Sequence, residues 1–235
     1  MLILALDTAT LVSGVAVANE ERLLAELTTE TRLTHSETLM PHIDEVLALA
    51  GVTKGELEAV AVSIGPGSFT GLRIGLATAK ALAYALKLPL VPVPTLEAMA
   101  ARFPVPGVKV CALMDAQKGN VYRAVYEWCD GGPKELKPLT VMPLSEAVAA
   151  CAAEGAPVVL TGDIVHKRAA KLILPEGVYA APPAMVMPRA AETAFLGLKR
   201  LARGETGNVM NLEPLYVRRS EAEELWEARQ RQVGK

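Results

Sequence analysis

Residues 2–28, LILALDTATLVSGVAVANEERLLAELT, decide the fold of this 235-residue chain. The apolar run from Leu2 to Leu6 is typical of a buried strand, and it ends at Asp7. Two further runs, Ser13 to Ala18 and Arg22 to Thr28, are separated by the polar turn Asn19-Glu20-Glu21. These short runs predict an antiparallel meander of three strands.

Helix and strand patterns alternate after the meander. Apolar residues at helical spacing and Gly51 as a stop signal predict a helix at 35–50, which Pro41 either kinks or opens. The next predicted elements are strands at 59–64 and 90–93 and helices at 70–86 and 95–102.

The second part of the chain repeats this order in a weaker form, after a predicted hinge at the Pro-rich residues 103–107. Its predicted elements are strands at 108–114, 120–128, 136–141 and 158–161 and helices at 145–153, 164–172 and 189–202. A meander followed by strand–helix units resembles the ribonuclease-H-like halves of the actin, sugar kinase and heat-shock ATPase superfamily. We therefore predict an α/β fold with half-domains at 1–103 and 104–219, the second degenerate, and a charged helix or tail at 220–235.

Composition and charge limit the class of protein. A net charge of −2 and a pI near 6.0 give no general field that attracts nucleic acid, so a partner is expected to supply most phosphate contacts in any work on RNA. The cysteines Cys111, Cys129 and Cys151 are odd in number and lack metal-type spacing, which indicates reduced thiols in a cytosolic protein. The sequence shows neither the roughly 18-residue apolar stretch of a membrane helix nor the basic start of a signal peptide.

The most specific motif is GPGSFTGLRIG at 65–75, which resembles the hallmark of the TsaB (YeaZ) family almost letter for letter. Other matching segments occur in the same order along nearly the whole chain. They are LALDTAT at 4–10, THSE at 34–37 ahead of LMP at 39–41, PTLEA at 94–98, DA at 115–116 with GNVY at 119–122, TGD at 161–163 and EPLYVR at 213–218. The likeness is looser at Gln117-Lys118 and at Ile164, where the family more often has other residues.

This resemblance implies a function in tRNA modification. The family's bacterial complex makes threonylcarbamoyladenosine next to the anticodon of tRNAs that read codons beginning with A. Its catalytic subunit is TsaD, a paralogue with the same fold, and TsaE is an ATPase component. By resemblance, this chain is expected to be a cytoplasmic, non-catalytic partner that binds and activates the TsaD-type subunit and meets tRNA indirectly through the complex.

The positions that correspond to the paralogue's metal ligands hold unsuitable residues. The paralogue uses two His of an HxxxH helix, which share one helix face, and a later Asp. On that pattern this chain has Thr95, Met99 and Pro188, none of which suits a hard or borderline divalent ion. His35 and His42 are seven residues apart and badly placed for one small ion. We therefore predict no metal and no other cofactor.

Two features of the sequence, Asp7 and the loop from Gly65 to Gly71, can each be interpreted in two ways. Asp7 either caps the turn at Thr8 to Thr10 or faces phosphates in a retained nucleotide cleft, as the equivalent Asp does in sugar kinases. The loop from Gly65 to Gly71 is either a sharp turn into a helix capped by Ser68 or Thr70, or an anion-binding loop, although it lacks the Gly-Lys-Ser/Thr of a Walker motif.

The predicted helices at 35–50 and 70–86 are apolar over more of their surface than one sheet can cover. Their second apolar face is either additional core or an interface. The resemblance favours an interface, because these helices form the TsaB–TsaD contact in the family, and a symmetric dimer through the same surface is a plausible resting state. The predicted interface residues are Leu39, Ile43, Val46, Leu47, Gly71, Leu72, Gly75, Leu76, Ala79 and Ala83.

Two enzyme classes are the alternatives to this partner function. A stand-alone metallopeptidase is one, because the wider superfamily has carried a glycoprotease label, but it would need the metal triad that Thr95, Met99 and Pro188 replace. A nucleotide-binding, kinase-like protein is the other, and Asp7 is its best support.

Overall fold

The computed structural model describes residues 1–30, 35–155, 157–168 and 172–217, which form two five-stranded sheets with helices on their faces. The first sheet has the strand order β3-β2-β1-β4-β5. Its strands are β1 (Ile3–Asp7), β2 (Val12–Ala18), β3 (Leu23–Glu30), β4 (Ala59–Gly65) and β5 (Leu90–Pro94). The pairs β1–β2 and β2–β3 are antiparallel, which confirms the predicted meander, while β1–β4 and β4–β5 are parallel.

The second sheet repeats this topology with the order β10-β9-β6-β7-β8. Its strands are β6 (Lys109–Asp115), β7 (Asn120–Cys129), β8 (Gly132–Pro143), β9 (Val158–Thr161) and β10 (Val178–Ala180). Here β6–β7 and β7–β8 are antiparallel, and β6–β9 and β9–β10 are parallel. The predicted duplication of a ribonuclease-H-like half is therefore confirmed. Sequence patterns missed β10, which has three residues of which only Val178 is buried.

Helices pack on both sheets and connect their strands. They are α1 (His35–Ala50), α2 (Phe69–Leu86), α3 (Thr95–Ala100), α4 (Leu144–Ala152), α5 (Asp163–Arg168) and α6 (Ala190–Ala202), with short 3-10 helices at Lys54–Glu56 and Pro183–Met185. Successive side chains of a strand point to opposite faces, so β1 divides its residues between two layers. Leu4 and Leu6 pack with α1 and α2, whereas Ile3 and Ala5 pack with α6.

The last described part of the chain returns to the first sheet, which corrects the predicted half-domain boundary at 104–219. Helix α6 packs on β1, β2, β4 and β5, and a β-carbon on Gly197 would lie 2.7 Å from the Ala61 side chain. Beyond α6, Gly207 N–H donates to Leu90 O at 2.7 Å, and Leu215 N–H donates to Ile64 O at 2.8 Å. The small residues of this sheet face permit such close contact, so residues 190–217 complete the N-terminal half.

Some predictions lie outside the described residues. These are Thr34 and Arg218 of the matching segments and the charged tail at 220–235. Within the ranges that the structure describes, no helix is both long and apolar enough to cross a membrane.

Candidate functional site

The inner faces of α1 and α2 hold all ten residues predicted as an interface. Each is buried within this chain. Most of the larger side chains belong to one core cluster with Leu4 and Leu6, whereas Leu72 belongs to the core cluster of the second sheet. The ten predicted side chains are therefore core residues of this chain, because the most apolar side of each helix is the side that covers the sheet. The residues predicted as an interface but buried in the structure are Leu39, Ile43, Val46, Leu47, Gly71, Leu72, Gly75, Leu76, Ala79 and Ala83.

Gly71 and Gly75 serve the fold directly, and not a helix–helix contact. A β-carbon at Gly71 would lie 2.1 Å from Thr8 O, and one at Gly75 would lie 2.2 Å from Thr8 Oγ1. The Thr8 hydroxyl in turn donates a hydrogen bond to Gly71 O at 2.8 Å. Helix α2 therefore crosses the turn after β1 so closely that only hydrogen fits at these two positions.

Replacing Gly75 with Ala is expected to lower the free energy of unfolding by about 2 kcal/mol, because overpacking and the displaced Thr8 hydroxyl outweigh the better helix propensity of Ala. Urea titration followed by circular dichroism measures the effect. Gly55→Ala is the matched control, since its β-carbon would meet only Thr53 Oγ1 at 4.0 Å. Equal stability of the two variants would show that α2 does not need this close approach.

The outer face of α2 is built from small residues. Ala77, Ala81 and Ala85 are exposed and repeat every four residues, so they form one line along the helix. Half-buried Ile74 and Leu82 border this line. A helix surface of this kind lets a second helix approach closely without the loss of much side-chain freedom.

The outer face of α1 differs in charge. Asp44 and Glu45 are exposed there together with Met40 and Leu49. Asp44 pairs with Lys54 at 2.7 Å across the surface. The two outer faces together present a small apolar line beside an acidic helix, and this surface is the candidate interface.

Asp7 lies at the carboxyl end of β1 and is 2% exposed. Its Oδ1 accepts the Ala9 backbone N–H at 3.1 Å, which confirms the predicted turn-capping geometry. Its Oδ2 has no formed hydrogen bond among the described residues, although the hydroxyls of Ser63 and Thr193 lie near enough to stabilise the carboxylate. Burial raises the pKa of Asp7 to about 6, against the lowering effect of the Ala9 N–H and these hydroxyls.

Charged residues surround this carboxyl group on the α6 side. Glu192, in the first turn of α6, pairs with Arg102 at 3.4 Å, and burial raises the pKa of its carboxyl group. Arg189 pairs with Glu26 of β3 just before α6 begins. The charges at the start of α6 thus pair with Arg102 and Glu26, and Asp7 lies behind them with no ion pair to a described residue.

The residues at the paralogue's metal positions have structural contacts here. Thr95 is fully buried, and its Oγ1 accepts the Gly65 backbone N–H at 3.1 Å. Met99 is 1% exposed and belongs to the core cluster under the second sheet. Both side chains of α3 therefore stabilise the junction between the two sheets. In the described part of the chain, no group of three or more His, Cys, Asp or Glu side chains is arranged to hold a metal ion.

Two other predicted features also have structural contacts. In the loop from Gly65 to Gly71, Ser68 N–H donates to Ala9 O at 2.7 Å, and Ser68 Oγ caps α2 by accepting Gly71 N–H at 3.2 Å. These bonds use donors that an anion would need, so the geometry favours the structural interpretation. The ring of His35 contacts Thr10 O at 2.8 Å, and that of His42 contacts Ser13 Oγ at 3.3 Å, with both rings partly buried as predicted.

A cavity of 390 Å³ lies between the halves. Its walls include Pro66 and Pro94 from the first sheet and Tyr126 from the second. Its charged residues Glu97 and Arg200 pair with each other at 2.5 Å. Burial, with the nearby carboxylates, raises the pKa of the Tyr126 hydroxyl, which therefore stays protonated.

Known proteins with similar sequences decide the family. Residues 22–226 match the family model described as TsaD, tRNA N6-adenosine threonylcarbamoyltransferase. The tRNA threonylcarbamoyladenosine biosynthesis protein TsaB of Bacillus subtilis (strain 168) is 32% identical over 228 residues, covering 96% of this chain and 98% of the relative. The protein of the same name from Escherichia coli (strain K12) is 30% identical over 241 residues, covering 94% and 96%.

The chain belongs to the TsaB (YeaZ) family. Solved structures agree with the TsaB assignment. A Pseudomonas aeruginosa protein described as similar to peptidase YeaZ has a TM-score of 0.81 at 28% identity, covering 92% of this chain and 99% of that one. Component A of the Acidaminococcus fermentans (R)-2-hydroxyglutaryl-CoA dehydratase, with a TM-score of 0.51 at 12% identity, covers 86% and 99% and shares the fold alone.

The sequence contains signals for exposed residues of α2 that lie outside the predicted interface set. Exposed Arg73 and Tyr84 mark the solvent side of α2, and Ala77 and Ala81 lie beside them on a helical wheel. The hydroxyl groups beside Asp7 had no such signal, because Thr193 reaches it from α6, more than 180 residues later in the chain.

Proposed function

We propose that this chain is a non-catalytic partner subunit in tRNA threonylcarbamoyladenosine synthesis, which binds and activates a TsaD-type threonylcarbamoyltransferase. The observation that carries the proposal is its likeness, over nearly the full length, to relatives named as TsaB biosynthesis proteins. The structural use of Thr95 and Met99, at positions where the paralogue has metal ligands, supports a non-catalytic function.

The outer faces of α1 and α2 are the proposed contact with the TsaD-type partner. The line of Ala77, Ala81 and Ala85 permits close helix packing, and the acidic side of α1 favours a basic rim on the partner. In the absence of that partner, a second copy of the chain would use the same surface in a symmetric dimer. A TsaE-type ATPase would complete the assembly, and tRNA would be contacted mainly through the other subunits.

Mixing the purified chain with the TsaD-type protein of the same organism tests the proposal. Size-exclusion chromatography with light scattering is expected to show one complex that contains both proteins, formed at the expense of any homodimer. Separate elution of the two proteins at micromolar concentration would contradict the proposed partnership.

A further inference from the structure

An arginine that contacts two aromatic rings lies at the start of the outer face of α2. Phe69 and Arg73 are exposed, and they continue the four-residue repeat of Ala77, Ala81 and Ala85 towards the beginning of the helix. The outer surface of α2 therefore changes along its length, from a charged aromatic end to a small apolar end.

Three contacts hold the guanidinium group of Arg73. Its Cζ lies 3.8 Å from the centre of the Phe69 ring and 5.7 Å from the centre of the Tyr216 ring. Its Nε donates a hydrogen bond to the Tyr216 hydroxyl at 2.8 Å. Cation–π attraction and this hydrogen bond restrict a long side chain before any ligand arrives, so less side-chain entropy is lost on binding.

The segment that carries Tyr216 is itself tied to the first half. Leu215 N–H donates to the end of β4 at 2.8 Å. Lys80, the other cation of α2, donates to Met210 O and to Leu212 O, each at 3.0 Å. The ammonium group of Lys80 thus serves the fold, and the ring of Tyr216 has a fixed place beside α2.

The guanidinium group of Arg73 keeps hydrogen-bond donors for a partner. Stacking uses the face of the planar group, and the bond to Tyr216 uses Nε, so both Nη groups remain available at the far edge. Within the described part of the chain, no carboxylate forms an ion pair with Arg73. Two parallel N–H groups on one edge match the two oxygens of a carboxylate.

We propose that Arg73 binds an Asp or Glu carboxylate of the TsaD-type partner and thereby fixes the position of the partner helix along α2, an inference that rests on the proposed function. A protein carboxylate fits better than an RNA phosphate, because RNA-binding surfaces combine several cations, whereas this chain has a net charge of −2 and exposed Asp44 and Glu45 on neighbouring α1. A basic end of α2 beside an acidic α1 gives the surface two signs of charge, which favour one orientation of the partner.

Replacing Arg73 with Gln is expected to weaken binding of the full chain to the TsaD-type protein by about 30-fold at low salt, as measured by isothermal titration calorimetry. The thermal midpoint of the isolated variant should change little, because Arg73 is exposed. Added salt should weaken binding of the parent more than binding of the variant. Lys137→Gln removes one positive charge from an exposed position of β8 and should bind as the parent does.

A crosslink can identify the carboxylate. Arg73→Lys keeps the charge but loses the two-donor edge, and it is expected to bind about 10-fold more weakly than the parent. A carbodiimide joins an amine to an adjacent carboxylate, and arginine does not react in this way. Mass spectrometry of the treated complex should therefore show one additional crosslink, from the introduced lysine to an Asp or Glu of the TsaD-type protein. Neutralising that acidic residue should weaken binding of the parent and have little further effect with Arg73→Gln.

The results separate this inference from the proposed function. If the parent itself does not bind the TsaD-type protein, both fail. If the parent binds and Arg73→Gln binds equally well, only the function of Arg73 is overturned. A crosslink solely to a second copy of this chain, or a loss of tRNA retention by the assembled complex with unchanged affinity between the proteins, would overturn it as well.

Discussion

Replacing Ala81 with Arg is expected to weaken binding to the TsaD-type partner by at least about 100-fold, or about 3 kcal/mol, without a loss of folding stability. Ala81 is exposed at the centre of the small-residue line of α2, so the fold tolerates a longer side chain there. A helix that packs on this line would have to move away from the bulky, charged side chain. Isothermal titration calorimetry measures the affinity, and thermal unfolding of the isolated variant measures stability.

A matched control exists on the other half of the chain. Ala149 is also an exposed alanine and lies within α4, remote from α1 and α2, so Ala149→Arg should bind the partner as the parent does. Charge at Leu76 or Leu39 would be a poor test, because both are nearly fully buried and their substitution would unfold the chain. Unchanged affinity in the Ala81→Arg variant would place the partner on another surface.

Replacing Asp7 with Asn is expected to raise the free energy of unfolding at pH 8 by up to about 3 kcal/mol, and to have little effect near pH 4. The folded-state pKa of Asp7, about 6, lies above its ordinary value of 3.8. At a pH between 3.8 and about 6, the Asp7 carboxyl group has lost its proton in the unfolded chain but retains it in the folded chain. Stability therefore falls as the pH rises from about 4 to about 6, and the whole cost remains above pH 6.

Asparagine removes this cost and keeps the observed contact, because its amide oxygen can accept the Ala9 N–H. Urea unfolding at several pH values measures the effect, and Asp44→Asn is the control, since Asp44 is exposed and pairs only at the surface. A variant that is less stable than the parent at pH 8 would show that the ionised carboxylate is held by a favourable partner. Such a result would support the kinase-like interpretation of Asp7.

Much of this architecture follows from local patterns. The meander, the boundaries of α1 and the repeated strand–helix order depend on apolar periodicity and on Gly and Pro signals, which the sequence contains in full. The return of α6 to the first sheet could not be predicted in this way. It depends on the match between Gly197 and the small side chain of Ala61, which are far apart in the chain.

The candidate site, like the fold, could be predicted only in part from the sequence. The motif at 65–75 marks the start of α2, and Thr95 and Met99 mark the positions where the paralogue has metal ligands. Hydrophobicity then misled the choice of residues, because a helix that packs on a sheet has its larger apolar side chains, such as Leu72 and Leu76, on the inner face. A surface line made of alanines carries little hydrophobic signal in the sequence, and only its exposure in the folded chain reveals it.

The most direct test of the central claim is threonylcarbamoyladenosine formation on tRNA in a reconstituted reaction with purified proteins, a threonylcarbamoyl donor and ATP. We predict no product with this chain alone, little with the TsaD-type and TsaE-type proteins alone, and efficient modification when all three are combined. Product formation by this chain alone, or equal activity of the other two proteins without it, would contradict the account.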